Sequence, residues 1–273
     1  MKKYILLFLI CTCNYGLPKK PLLTENSFHQ KQWVDSVYSS MNIDQKIGQL
    51  FTVWVVTKNG DDEIEYISKL IKNYHLGGLI FSLGNIKDQA KAINTFQEIS
   101  KVPILISMDA DWGIGMRLDD AFSFPYNMTL GAIKDDDLVY NVGKRIGYHA
   151  KRLGVHINFA PVVDINTNPR NPIIGSRSFG EDKFNVANKG VSYLKGMHEY
   201  GIMGAAKHFP GHGDTETDSH KTLPSITFTK DRINDVELYP FKKLIENNVD
   251  GIMVVHLNIP NLDKKKFQPY HKR

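Results

Sequence analysis

Short apolar runs alternate with longer amphipathic segments along the chain. The apolar runs are rich in Val, Ile and Leu and lack polar alternation, which is typical of strands buried on both faces of a parallel sheet. They predict strands at residues 48–56, 78–83, 104–108, 156–161, 203–206 and 251–256. The helical periodicity of the segments between them predicts helices at residues 62–73, 87–100, 136–153, 183–200 and 230–247. The alternation indicates βα units around a parallel sheet.

Polar side chains cluster where the predicted strands end. Asp109, Asp164, His256 and the pair Lys207 and His208 all follow or close an apolar run. Because the carboxyl ends of the strands form the active face of a parallel barrel, we expect these side chains to converge on one pocket. A doubly wound open sheet is the alternative, but no glycine-rich phosphate loop follows the first strand. The sequence therefore favours an α/β barrel.

Titratable groups are densest in residues 207–220, KHFPGHGDTETDSH, which we call the histidine loop. Asp218 precedes His220 by two residues, so its carboxylate can hold one imidazole nitrogen and raise the basicity of the other. Such a dyad can carry protons. Gly211 and Gly213 predict a backbone with the freedom that lids need.

A metal site is an alternative use of the histidine loop. Its histidines and carboxylates are all possible ligands, but Lys207 would place an ammonium beside the ion. We therefore predict neither a metal nor another cofactor.

The N-terminus has the features of a secretory leader. Lys2 and Lys3 precede a short apolar run at residues 4–10, too short to span a bilayer, and Cys11 and Cys13 follow. We expect an exported protein, periplasmic or held at the cell envelope by a lipid on Cys13 or Cys11, with an ordinary cleaved signal as the alternative. No cysteine remains after the leader, which excludes a disulfide there. We assign residues 1–24 to the leader and linker, and 25–273 to one domain.

Charge and hydropathy exclude two classes of partner. The formal net charge of +5 comes from the chain ends, and it becomes −2 without Lys2, Lys3 and the basic residues of 264–273. Since basic and aromatic residues do not interleave in a patch, we expect no nucleic acid partner. After the leader, no apolar run approaches the length of a transmembrane helix.

Three segments together carry a motif pattern: the strand end ISMDADWGIGMRL, the segment APVVDINTNPRNPIIGSRSFGED and the histidine loop, in residues 106–118, 160–182 and 207–220. They resemble the family 3 glycoside hydrolases, most closely their β-N-acetylglucosaminidase branch. The resemblance covers residues 33–268. It implies a (β/α)8 barrel of the TIM type, of which the chain holds about six βα units, and a carbohydrate substrate.

The resemblance also implies roles for individual residues. His220, supported by Asp218, matches the general acid/base of a retaining glycosidase that forms a covalent glycosyl-enzyme. The positions that hold hydroxyls of the terminal sugar are matched by Asp109, Arg117, Arg177, Lys207 and His208. These residue types suit the task, because carboxylates and guanidinium groups bind hydroxyls with direction.

Several of these residues have a structural alternative. Arg177 could instead pair with Glu181 or Asp182, and Arg117 with the acidic residues just after it. We expect Asp164 to shape a loop rather than to touch sugar.

The family places its nucleophilic aspartate after a further strand, whereas this chain ends in residues 270–273, which do not resemble the family. We therefore expect a truncated member, with an unpaired edge near His256 and weak or absent catalysis. The predicted function is an exported glycosidase that releases terminal β-linked N-acetylglucosamine from glycans such as peptidoglycan fragments. The alternatives are a β-glucosidase or β-xylosidase of the same family and a non-catalytic sugar-binding remnant.

Overall fold

The computed structural model describes residue 21 and residues 26–216 and 223–262. Within these residues, six parallel strands form one sheet in which each strand pairs with the next along the chain. The strands are β1 (Thr52–Val56), β2 (Gly78–Ser82), β3 (Leu105–Met108), β4 (Ile157–Asn158), β5 (Met203–Phe209) and β6 (Gly251–Val254). Sequential parallel order is the topology of a βα barrel and confirms the predicted fold class.

Helices connect the strands and cover one face of the sheet. They are α1 (Ser27–Ser40), α2 (Ile43–Gly48), α3 (Asp61–Tyr74), α4 (Ile86–Ile99), α5 (Asn127–Gly131), α6 (Asp136–Arg152), α7 (Lys183–His198), α8 (Lys230–Asp235) and α9 (Tyr239–Glu246). Local sequence explains several starts: the side chains of Asn85, Asp135 and Asp182 accept hydrogen bonds from first-turn amides of α4, α6 and α7.

The first strand begins later than predicted. Gly48, its first predicted residue, is the last residue of α2. This helix begins at a capping box, in which Oδ1 of Asn42 accepts from N of Gln45 at 2.9 Å and Oε1 of Gln45 accepts from N of Asn42 at 3.0 Å. Helices α1 and α5 were also absent from the prediction. None of the α1 residues is buried, so this helix needs no apolar face toward the core, and the sequence gives no such signal for it.

The helix predicted at residues 230–247 is divided into α8 and α9. Pro240 lies in the first turn of α9, where its missing amide costs no helical hydrogen bond. The turn between the two helices contains Glu237, which is 8% exposed.

The core lies between the sheet and the helices, with Phe81, Phe96, Ile106 and Met108 fully buried. The sheet is open: β1 and β6 are its edges in the described part of the chain. Val254 on β6 is 70% exposed. The open six-stranded sheet agrees with the incomplete barrel predicted above. No helix in the described ranges is both long and apolar enough to cross a membrane.

Candidate functional site

The carboxyl ends of β3 and β5 bring two aspartates to one lysine. Nζ of Lys207 lies 2.7 Å from Oδ1 of Asp109 and 2.8 Å from Oδ1 of Asp111. Lys207 and Asp111 are buried, whereas the side chain of Asp109 is 26% exposed. The buried pair therefore supports one carboxylate that solvent, or a ligand, can reach.

Arg177 completes this charge array from the segment between β4 and α7. Its Nε donates to Oδ2 of Asp111 at 2.9 Å, and its backbone carbonyl accepts from Nδ2 of Asn127 at 2.8 Å. Burial on its own raises the pKa of Asp111, but the charges and hydrogen bonds of Lys207 and Arg177 outweigh it and hold the pKa below its usual range. Arg177 therefore pairs with Asp111, and not with Glu181 or Asp182, the alternative that the sequence suggested.

Arg117 returns to Asp109 after a short turn of 3₁₀ helix. Its Nε donates to the backbone carbonyl of Asp109 at 3.0 Å, and its Nη2 lies 3.3 Å from Oδ2 of the same residue. Of the two acidic residues just after it, Asp119 pairs with Lys58, and Oδ1 of Asp120 accepts from N of Ile86 at 2.9 Å. Asp109 thus carries a cation on each side, Lys207 and Arg117.

Asp164 organises the start of the histidine loop. Its Oδ2 accepts from N of His208 at 3.0 Å and lies 2.6 Å from Nδ1 of the same residue, while its Oδ1 accepts from N of His212 at 2.7 Å. Burial acts to raise the pKa of Asp164, but His208 and the backbone donors lower it to a net value below the usual range. A fully buried carboxylate with these partners shapes the loop.

The segment that contains Asn168 and Asn171 also holds the histidine loop by hydrogen bonds. Nδ2 of Asn171 donates to the carbonyl of His212 at 2.7 Å, and Nδ2 of Asn168 donates to the carbonyl of Asp214 at 3.2 Å. The backbone of residues 211–216 is therefore held through its own carbonyl groups.

Gly213 allows the two segments to touch. A Cβ atom at this position would lie 1.8 Å from the carbonyl oxygen of Ile165, far inside van der Waals contact. This glycine therefore serves close backbone approach, a different use from the lid flexibility expected from the sequence.

Part of this arrangement lines a cavity of about 400 Å³ at the carboxyl end of the sheet. Its lining includes the five residues that the sequence assigned to sugar binding, namely Asp109, Arg117, Arg177, Lys207 and His208. Asp218 and His220, the predicted dyad, lie outside the described residues, and so do Cys11 and Cys13. Among the described residues, no three His, Cys, Asp or Glu side chains come together as a metal would require.

Sequence reasoning did not single out Asp111. The available signal was its spacing, since it follows Asp109 by two residues at the end of a buried strand. Its partners come from residues 177 and 207, so only the tertiary structure identifies it as the counter-ion of both cations.

Known proteins with similar sequences identify the family to which this chain belongs. A sequence model described as "Glycosyl hydrolase family 3 N terminal domain" matches residues 42–272. "Beta-hexosaminidase A" of Pseudoalteromonas piscicida is 37% identical over an alignment of 214 positions that covers 73% of this chain and 36% of the relative. "Beta-N-acetylglucosaminidase/beta-glucosidase" of Cellulomonas fimi is 34% identical over 228 residues, 84% of this chain and 40% of the relative.

A solved structure gives the same result. The family 3 β-N-acetylglucosaminidase of Paenibacillus sp. str. FPU-7 superposes with a TM-score of 0.77 at 36% identity, covering 83% of this chain and 44% of that one. The chain thus spans less than half the length of these three relatives. Both the matched sequence and the superposed barrel assign the chain to glycoside hydrolase family 3, as part of that family's N-terminal domain.

Proposed function

We propose that this domain binds the terminal N-acetylglucosamine of a β-linked glycan and takes part in its hydrolysis with retention of configuration. The observation that carries the proposal is the charge array in which Asp109, Lys207 and Arg177 line the cavity and the buried Asp111 pairs with both cations. It is built from buried ion pairs, which are costly to assemble and hold their exposed members in fixed orientations.

The sugar is held by the exposed members of the array and by Arg117, which pairs with Asp109. The carboxylate of Asp109 accepts hydrogen bonds from hydroxyls, and the partly exposed guanidinium groups of Arg117 and Arg177 donate to ring substituents. Lys207 and His208 contribute donors from the end of β5. Such directional groups distinguish hydroxyl configurations better than apolar contacts do.

Proton transfer is assigned to His220 with Asp218. In the first step the imidazolium protonates the glycosidic oxygen as the anomeric carbon passes from that oxygen to a nucleophilic carboxylate; in the second the neutral imidazole accepts a proton from the water that displaces this carboxylate from the anomeric carbon. The anchoring of residues 208–216 by Asp164, Asn168 and Asn171 supports this assignment, because it fixes the part of the loop from which the dyad follows.

A histidine acid/base suits a site whose nucleophile is a carboxylate. Most retaining glycosidases use two carboxyl groups about 5 Å apart, which repel each other when both are charged. We do not assign the nucleophile to Asp109, because Lys207 and Arg117 already neutralise it.

The names of the relatives support N-acetylhexosaminides over glucosides as substrates, although the Cellulomonas fimi name includes both activities. With the leader features of residues 1–13, this favours a protein that works outside the cytoplasm on envelope glycans such as peptidoglycan fragments.

Hydrolysis of a chromogenic β-N-acetylglucosaminide tests the function. We expect weak turnover by the purified protein, because the residues assigned here do not include a nucleophile, and at least about a hundredfold lower turnover in His220→Ala, the scale of a lost general acid/base. The matched control is His29→Ala, which removes an exposed histidine of α1. A folded protein that binds N-acetylglucosamine without turning over this substrate would overturn the hydrolytic part and leave a sugar-binding domain.

A further inference from the structure

Glu237, between α8 and α9, has a buried carboxylate that the proposed reaction does not use. Its Oε1 accepts from Nε and Nη2 of Arg232, at 3.3 and 3.2 Å. Its Oε2 is buried and has no hydrogen-bond partner in residues 26–216 and 223–262. A buried carboxylate oxygen without a partner is unfavourable, so packing alone does not explain this residue.

The stem of Glu237 supports the histidine loop at Gly211. A Cβ atom at Gly211 would lie 2.9 Å from Cβ and 3.2 Å from Cγ of Glu237, so the two residues are in direct contact. Gly211 has a φ of +127° and donates its amide to the carbonyl of His208 at 2.8 Å. Glu237 thus touches the turn that separates His208 from His212.

The charge of Glu237 also reaches this loop. Burial raises the pKa of the Glu237 carboxyl, and the negative charge of Asp214 adds to that rise, while a backbone hydrogen bond and Arg232 oppose it. Asp214 belongs to the same loop and lies four residues before Asp218. The contact at Gly211 is steric, and the one with Asp214 is electrostatic.

We propose that Glu237 is a positioning residue of the histidine loop: its side chain, anchored through the carboxylate by Arg232, packs on Gly211 and fixes the turn between His208 and His212. Asp164 holds the same turn through the amides of His208 and His212. The two carboxylates together define the loop conformation. The inference rests on the proposed function, because it assigns Glu237 to the loop that carries the acid/base dyad.

Amide NMR of the purified protein between about pH 3.5 and 7.5 tests the proposal. In the wild type we expect the Gly211 and Gly213 amide resonances to shift with a midpoint above the ordinary glutamate value of about 4.3. Glu237→Gln should abolish this titration, whereas Glu237→Asp, which keeps the charge, should retain one. Glu216→Gln is the matched control, since it makes the same change at an exposed glutamate of the same loop.

A wild-type titration without that midpoint at Gly211 overturns the proposal even if the variants fail to fold, and so does a midpoint that persists in Glu237→Gln. Neither sugar nor turnover is needed for this experiment. A protein that fails to hydrolyse glycosides therefore refutes the proposed function without deciding the result for Glu237.

Discussion

The ammonium group of Lys207 lies between two carboxylates, 2.7 Å from Asp109 and 2.8 Å from Asp111. The two carboxylates differ in exposure, since Asp111 is fully buried and Asp109 faces the cavity. This difference separates their roles: Asp111 balances buried charge, and Asp109 remains available to a ligand.

Asp111→Asn tests the buried half of this arrangement. Removing its charge leaves Arg177 without its carboxylate partner and Lys207 with Asp109 alone, so we expect the free energy of unfolding to fall by about 3–5 kcal/mol. Urea denaturation measures the change. The control is Asp119→Asn, which removes an exposed partner of Lys58 and should cost less than about 1 kcal/mol. Equal effects of the two substitutions would show that Asp111 is not the buried counter-ion described here.

Gly213→Ala tests the close approach between the histidine loop and Ile165. Because the added methyl would overlap the Ile165 carbonyl oxygen, the backbone must shift, at a cost of about 1–3 kcal/mol typical of overpacking. Thermal unfolding and N-acetylglucosamine affinity should both decline. Gly251→Ala is the matched control, since its methyl would meet only the Cβ of Ala205, at 3.7 Å. An unchanged melting temperature in Gly213→Ala would contradict the packing.

Acid should weaken the fold through Asp164. Its folded-state pKa is lowered, so the stabilisation it contributes is present above the unfolded-state value of about 3.9 and is lost as the pH falls through the folded-state pKa. Asp164→Asn should therefore reduce the dependence of the urea midpoint on pH below about pH 4. If the variant and the wild type lose stability in parallel, Asp164 is not responsible for the acid sensitivity.

The contribution of Glu237 to stability depends on pH in the opposite direction to that of Asp164. Its folded-state pKa is raised, so its contribution is present below the unfolded-state value and is lost as the pH rises through the folded-state pKa. We expect Glu237→Gln to raise the urea midpoint at pH 7 and to leave it nearly unchanged at about pH 4, where the glutamate is largely protonated. A lower midpoint at pH 7 would show that the ion pair with Arg232 outweighs the cost of burial.

The fold was predictable from the sequence where burial imposes a regular spacing of apolar residues along a strand or helix. Strands β2, β3 and β6 and helices α3, α4, α6 and α7 lie close to their predicted positions, because strands packed in a sheet require apolar runs and helices packed against that sheet require an amphipathic pattern. The prediction failed where local chemistry decides. The capping box of Asn42 and Gln45 starts α2, which ends on Gly48, the first residue of a predicted strand, and the turn at Glu237 divides a predicted helix.

The sequence indicated which residues lie at the candidate site, but not which of them form ion pairs with each other. Motif resemblance placed Asp109, Arg117 and Lys207 on one cavity, and all three line it. The ion pair of Arg177 with Asp111 joins residues 66 positions apart, so its existence depends on distances that only the folded barrel sets. Buried partners of this kind leave no periodic signal in the sequence.

Calorimetric titration with N-acetylglucosamine tests the central claim, that the Asp109 carboxylate holds the terminal sugar. We predict binding by the wild type, at least tenfold weaker binding by Asp109→Asn, which corresponds to about 1.4 kcal/mol, and unchanged binding by Asp119→Asn. That loss fits a hydrogen bond to a charged group, worth about 1.5–3 kcal/mol. Equal affinities of the wild type and Asp109→Asn would contradict the claim, because the sugar would then be held without the array at the carboxyl end of β3.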